Sequence, residues 1–350
     1  MSLDYYNFDR IMSYNAIFSL CVGGRGIGKS YGMKIKMVKD ALKKGDEFIY
    51  LRRYKEEITD SKSTFFSDIE HEFPGYIFRV NGNKAEAAVE PEVIENKNGE
   101  PVEQKPEWFT IGYFIVLSKG QSKKGVQYPK VRIICFDEFI IEKGLIRYLP
   151  DEVSVLMNFY NTVDRYRDKA RMFLLANGVT MTNPYFLYWR IQPDQVKEFI
   201  SLLDGDVVCH LVPGGTFAEQ VKKTRFGRML TAHNSDYAAY AIDNVFHDAN
   251  DSLVARKPDT AIYRFTIEGD LLTYSVWRDP ELNHYWIQEK RPKGNELIYT
   301  TEKSKMGSDK ILMQRNHKLL QILRSAYSAA RIEFDSPRTR EAFVESAFNQ

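Results

Sequence analysis

Residues 23–30 read Gly-Gly-Arg-Gly-Ile-Gly-Lys-Ser, the complete G-x-x-x-x-G-K-S spacing. Backbone N–H groups in such a loop, at the start of a helix, cradle phosphate oxygens. Gly24, Arg25, Gly26, Ile27 and Gly28 would form the cradle. Lys29 would reach the β- and γ-phosphates, and the Ser30 hydroxyl would ligate Mg²⁺. A second group follows the apolar run 131–136, where Asp137 and Glu138 stand side by side. An aspartate at the end of a neighbouring strand holds Mg²⁺ through water, and a glutamate directly after it can orient and deprotonate an attacking water. A nucleotide kinase or small GTPase needs no second carboxylate there. The pair therefore argues for ATP hydrolysis with the energy used elsewhere. The guanine-reading N-K-x-D is absent, since Asn96-Lys97 is followed by Asn98-Gly99.

Other polar side chains fall where an open α/β sheet binds ligands, at strand ends on the loop's edge. Asn177 is a candidate γ-phosphate sensor. Arg52, Arg53 and Lys55 could meet phosphates, DNA or a neighbouring subunit, or simply be solvated. Arg165 and Arg167 end a helical segment. Cations there complement the helix dipole, or one of them is an arginine finger for the next subunit's γ-phosphate. Lys119, Lys123, Lys124 and Lys130 crowd a Gly-containing loop that could track a phosphate backbone. Lys223 and Arg225, within the basic stretch 222–228, admit the same reading.

These groups need a scaffold. Strand-like segments at 17–22, 48–51, 76–80, 109–117, 131–136, 171–176 and 207–212 alternate with helical ones at 31–42, 64–73 and 150–163. That alternation predicts a mainly parallel sheet covered on both faces. The polar, proline-bearing stretch 81–107 reads as an inserted, hairpin-like excursion. After Gly215 the pattern turns polar through residue 250. A meander follows at 262–267, 271–277 and 284–288. Helices are expected at 309–327 and 337–348, with 331–334 as a strand between them. The division this predicts is a nucleotide domain at 1–213, a linker at 214–250 and a smaller α/β domain at 251–350.

The 350 residues carry 49 basic and 47 acidic side chains, net +2. Overall charge therefore cannot hold the chain on nucleic acid, and any such contact must be local. No apolar run is long enough to span a bilayer, and the N-terminus does not read as a signal peptide. Cys21, Cys135 and Cys209 each sit in an apolar run without a C-x-x-C pair, as buried free thiols do. The scattered histidines offer no protein-built metal site.

Taken together, residues 24–30, Arg-Arg-Tyr-Lys at 52–55, Phe-Asp-Glu-Phe-Ile at 136–140, Asn-Pro-Tyr-Phe-Leu at 183–187 and Lys-Thr-Arg-Phe-Gly-Arg at 223–228 resemble the DNA-packaging motor ATPases of small podophages of the phi-twenty-nine type. The resemblance covers nearly the whole chain. It implies an α/β P-loop NTPase domain of the additional-strand, catalytic-glutamate class, with a linker and a C-terminal ribonuclease-H-like domain that has lost its active site. It also implies a homo-oligomeric ring, pentameric in the family, at the portal of a phage head in the host cytoplasm. Its partners would be double-stranded DNA, the portal and, in some members, a structural packaging RNA; its ligands would be ATP and Mg²⁺. By matching position, Lys29 and Ser30 contact phosphate and Mg²⁺, Asp137 is the Mg²⁺ carboxylate, Glu138 the general base and Arg165 the trans-acting arginine. Lys55 matches a basic residue near the subunit boundary. Glu268, Asp270 and Asp279 fall at turns and do not converge as two-metal cleavage requires. Two alternatives remain open: a packaging enzyme with an active nuclease, and a non-catalytic nucleic-acid adaptor.

Overall fold

Strands buried on both faces read as unbroken apolar runs, and the strand that leads into the phosphate loop is buried along its whole length. The computed structural model describes residues 6–91, 93–95, 101–119, 127–141, 148–149, 151–178, 183–191, 198–213, 215–233, 256–269, 272–289, 292, 294, 297–329 and 331–348. The chain forms two units, residues 1–178 with 194–245 and residues 179–193 with 246–350. No described helix is long and apolar enough to cross a membrane. All three cysteines are buried free thiols.

In the first unit a short helix α1 (Asp9–Met12) precedes β1 (Phe18–Gly23), α2 (Lys29–Lys44), β2 (Glu47–Arg52) and α3 (Lys55–Thr64). Then come β3 (Tyr76–Asn81), β4 (Lys84–Val89), β5 (Val93–Glu95), β6 (Pro101–Glu103), β7 (Phe109–Val116), β8 (Val131–Asp137), α4 (Glu152–Asp164) and β9 (Arg171–Asn177). After α5 (Pro184–Trp189), which groups with the second unit, the first unit resumes with β10 (Phe199–Leu202), β11 (Val207–Leu211), α6 (Gly215–Lys223) and α7 (Arg225–His233). Nine described strands make one sheet, in the order β10-β11-β1-β9-β8-β2-β7-β4-β3. The six strands from β11 to β7 are parallel, and β10, β4 and β3 are antiparallel additions at the edges. The additional strand of the expected class is visible here: β9 lies between the phosphate-loop strand β1 and the carboxylate strand β8.

Two expectations for this unit need correction. The helix predicted at 64–73 lies earlier, at α3, and residues 70–72 form a single 3₁₀ turn. Glu57 accepts the Tyr54 N–H at 2.6 Å and so fixes the start of α3. The stretch 81–107 is only partly an excursion. It opens with β4, a full member of the sheet between β3 and β7. Alternation hid this strand because its buried side chains are small, Ala85, Ala87 and Ala88, and because Glu86 is buried against Arg79 at 2.8 Å. The β5–β6 hairpin follows, and its tip, 96–100, lies outside the described residues.

The second unit also contains β12 (Ile262–Glu268), β13 (Thr273–Asp279), β14 (His284–Gln288), β15 (Ile298–Thr300), β16 (Lys310–Leu312), α8 (Lys318–Ser328), β17 (Ile332–Phe334) and α9 (Pro337–Phe348). Its described sheet runs β16-β15-β12-β13-β14-β17 around Tyr274, Phe334 and Phe343. The helix predicted at 309–327 divides into β16 and the shorter α8, since Lys310 to Leu312 pair with β15. Ser336 accepts the Thr339 N–H at 3.1 Å, the cap expected for α9.

Candidate functional site

Beyond β1 the loop turns left-handed at Gly26 (φ 78°) and Gly28 (φ 82°), a conformation that costs other residues a steric clash. Gly28 is the N-cap of α2, and no side chain caps that helix. Its first N–H groups thus remain free of side-chain acceptors and face an anion site with the positive end of the dipole. Lys29 is 7% exposed, and its Nζ donates to the carbonyls of Gly23 (3.1 Å) and Gly24 (2.8 Å), with Asn177 Oδ1 at 3.5 Å. Burial lowers its ammonium to about 8, against the opposing pull of Asp137. Arg25 is exposed on the loop.

The parallel register sets the acidic side. Leu51 lies opposite Phe136, and Phe136 opposite Leu174, so β2, β8 and β9 end together beside the loop. Asp137 Oδ1 accepts from Ser30 Oγ at 3.0 Å and from the Glu138 N–H at 3.1 Å. Its Oδ2 accepts from Tyr50 OH at 2.7 Å. Burial, and then the Asp137 charge, hold the Tyr50 hydroxyl well above the usual range, so it stays a donor. The Ser30 hydroxyl and an Asp137 oxygen are hard oxygen donors within contact of one another, a set that fits Mg²⁺ completed by waters and phosphate. Gly26, Gly28, Lys29, Ser30, Asp137, Glu138 and Asn177 line one cavity of about 320 Å³. A second cavity of about 340 Å³, by Asn83 and Tyr113, contains none of these groups.

Glu138 is left-handed (φ 59°) and its side chain is 59% exposed. Strained non-glycine backbone concentrates at functional sites and persists where the surroundings hold it. Here the hold is visible: Arg52 Nη2 donates to Glu138 Oε2 at 2.6 Å, and Arg53 Nη1 to the Glu138 carbonyl at 3.2 Å. Arg52 also lies 3.8 Å from Asp137 and 3.6 Å from Glu57, and its buried Nε has no partner among the described residues.

Sequence reasoning set Arg53 among surface contacts. The structure corrects this, for Arg53 is 1% exposed. It forms a two-pronged pair with Glu152 at 2.7 and 2.9 Å and donates to the Phe139 carbonyl at 2.7 Å. It ties the start of α4 to the segment after β8. Lys55, Lys119, Lys223 and Arg225 are exposed. Lys123 and Lys124 lie outside the described residues. The Arg167 guanidinium is directed at backbone carbonyls, those of Asp164 (2.8 Å) and Tyr128 (3.1 Å). Tyr50 and the Arg52–Glu138 pair were not foreseen. The available signal was the strand ending shared by β2 and β8.

Arg165 is exposed at the C-cap of α4. That helix leaves the loop end of the sheet after β8 and returns to the start of β9. Its 13 residues carry the chain about 20 Å. Arg165 therefore stands at the edge of the sheet opposite its own phosphate loop.

Comparison with known proteins gives four findings. The family model described as podovirus DNA encapsidation protein (Gp16) matches residues 1–94 and 102–348. The chain is similar to the DNA packaging protein of Bacillus phage phi29, 32% identical over 343 residues, covering 97% of this chain and 96% of that one. It is also similar to a subunit of the bacteriophage Phi-29 viral genome packaging motor assembly, with TM-score 0.71, 30% identity and 98% of each chain covered. A crystal structure of the N-terminal domain of the DNA packaging ATPase from bacteriophage phi29 matches 59% of this chain and 96% of that one, at 36% identity and TM-score 0.50.

Proposed function

The chain belongs to the podovirus DNA encapsidation protein family, and on that footing we propose that it is the ATP-hydrolysing motor that drives double-stranded viral DNA into a preformed phage head. The observation that carries this reading is the convergence of Lys29, Ser30, Asp137, Glu138 and Asn177 on one cavity. Lys29 and the N–H groups at the start of α2 bind the triphosphate. Ser30 and Asp137 would hold Mg²⁺, which would neutralise phosphate charge there. Glu138 leaves Arg52 and takes the proton of the attacking water. Asn177, at the end of the strand between β1 and β8, reports whether the γ-phosphate is present.

Arg165 completes the centre of the adjacent protomer in a ring. Its distance from its own loop supports action in trans. The change at the γ-phosphate then shifts a basic surface along DNA. Lys55, Lys119, Lys223 and Arg225 are candidates for that surface by exposure, and Lys123 and Lys124 by sequence. The working division is an ATPase part to about residue 213, a linker to about 250 and a vestigial nuclease-like part beyond it. Absence of cleavage by that last part is supported by its described carboxylates, Glu268 and Asp279, Asp270 lying outside the described residues. Glu268 is paired with Lys310 at 2.7 Å, and Asp279 accepts from Thr260 and from the N–H groups of Glu281 and Leu282. Docking at the portal in the host cytoplasm, with or without a structural RNA, follows from the same reading.

The deciding experiment measures ATP binding and turnover of the assembled protein in parallel. Arg165→Ala should keep wild-type nucleotide affinity and lose turnover by about 10³-fold or more. Normal turnover by Arg165→Ala would remove the finger from the mechanism.

A further inference from the structure

Helix α4 ends against its own electrostatics. A carboxylate in the last turn meets the negative end of the helix dipole, yet Asp164 is the final residue of α4 and is only 4% exposed. The compensation is local. Three successive backbone N–H groups, those of Asp168, Lys169 and Ala170, donate to its two oxygens, each at 2.9 Å. The chain they enclose is left-handed at Arg165 (φ 51°), Tyr166 (φ 58°) and Asp168 (φ 53°), and none of these is glycine. Backbone of this kind relaxes unless its surroundings over-determine it. Further ties close the base of the loop. The Arg167 N–H donates to the Asp164 carbonyl at 3.1 Å, and Tyr160 OH to the Ala170 carbonyl at 2.9 Å. The tip carries Arg165 and Tyr166, the latter 91% exposed.

A residue that must act on another protomer's phosphate gains most from being ordered before the encounter. We propose that Asp164 is the positioning residue of Arg165: its carboxylate clamps the 165–170 loop so that the guanidinium reaches the neighbour's γ-phosphate already ordered. Asp164 touches no nucleotide. Burial alone would raise its carboxyl, but the N–H donors outweigh that and hold it below the usual carboxylate range, so the clamp stays ionised at neutral pH. The inference rests on the trans role of Arg165 given above.

The test uses Asp164→Asn, which keeps the shape and leaves one acceptor oxygen, with Asp164→Ser as a second variant. Each should lower kcat about 10- to 100-fold with the KM for ATP unchanged, the loss a misplacement of about 1 Å brings. Mixed assemblies separate positioning from mere stability. Glu138→Gln protomers have a dead pocket but an intact finger, and should restore turnover to Asp164→Asn protomers, whose pockets are intact. The same partner should rescue Arg165→Ala. If Arg165→Ala is rescued while both Asp164 variants either turn over normally or stay inactive, the clamp is refuted and the finger stands. If Arg165→Ala is not rescued, the trans reading falls and the clamp falls with it.

Discussion

A buried lysine that must be charged to bind its ligand makes affinity depend on pH. Lys29 is the case in point: burial lowers it from 10.5 to about 8. That gap corresponds to roughly 3 kcal/mol disfavouring the ammonium in the folded protein. The direction follows from proton counts. Between about pH 8 and 10.5 the unfolded chain holds a proton that the folded chain has lost, so this residue's penalty is full below pH 8 and fades as pH rises through that window. A triphosphate reverses the preference, because its charge stabilises the ammonium beside it. Binding above pH 8 must therefore draw in a proton. Affinity for a non-hydrolysable ATP analogue with Mg²⁺ should be flat from pH 6.5 to about 7.5 and then fall, by roughly tenfold between pH 7 and 9, as one linked proton requires. Calorimetry in two buffers of different ionisation enthalpy at pH 8.5 should detect proton uptake. Lys29→Arg, whose cation does not titrate in this range, should bind with no such fall. Equal affinity at pH 7 and 9 in the wild type, or the same fall in Lys29→Arg, would refute the reasoning.

Four further outcomes follow from the site. Glu138→Gln should bind ATP as the wild type does and lose turnover by about 10²-fold or more, seen in single-turnover phosphate release; substantial residual turnover would remove Glu138 as the base. Arg52→Leu should raise DNA-independent turnover several-fold, since an ion pair of this exposure restrains Glu138 by only about 1 kcal/mol; a loss as deep as that of Glu138→Gln would mean that Arg52 serves the chemistry. Glu152→Gln strands the buried Arg53 charge and should cost about 3–5 kcal/mol of stability in denaturant unfolding, whereas an unchanged midpoint would show the pair to be dispensable. Tyr50→Phe should weaken Mg²⁺-dependent binding by about 10- to 100-fold, because it removes one hydrogen bond worth about 1.5–3 kcal/mol to a charged group, and it should leave Mg²⁺-free nucleotide binding alone.

Much of this was legible in the residues. The phosphate loop and Asp137-Glu138 declare themselves because their chemistry needs fixed types at fixed spacing. The strands that carry them announce themselves because parallel strands buried on both faces are near-continuous apolar runs, as in β1, which is buried along its length and holds only Ser19 as a polar side chain. What stayed hidden depended on partners distant in sequence. Arg53 looked like one charge in a surface cluster, because only the tertiary fold brings Glu152 to it. The Arg52–Glu138 pair arises from the register of β2 on β8. Strand β4 escaped because alanines and a paired glutamate fill its buried positions. The predicted helix at 309–327 overreached because Lys310 to Leu312 are held by strand pairing, which a one-dimensional pattern does not record. The Asp164 clamp is invisible in sequence for the opposite reason: it is entirely local, but an aspartate at a helix end reads as unfavourable until its three N–H partners are seen.

The central claim is a catalytic centre shared between protomers. It is tested most directly by a structure of the assembled ring with Mg²⁺ and a non-hydrolysable ATP analogue. The account requires the Arg165 guanidinium of one protomer within hydrogen-bond distance of the γ-phosphate held by Lys29 of the next, with Glu138 turned from Arg52 toward the attacking water. A cation from the same chain in that position, with Arg165 left in solvent, would contradict it.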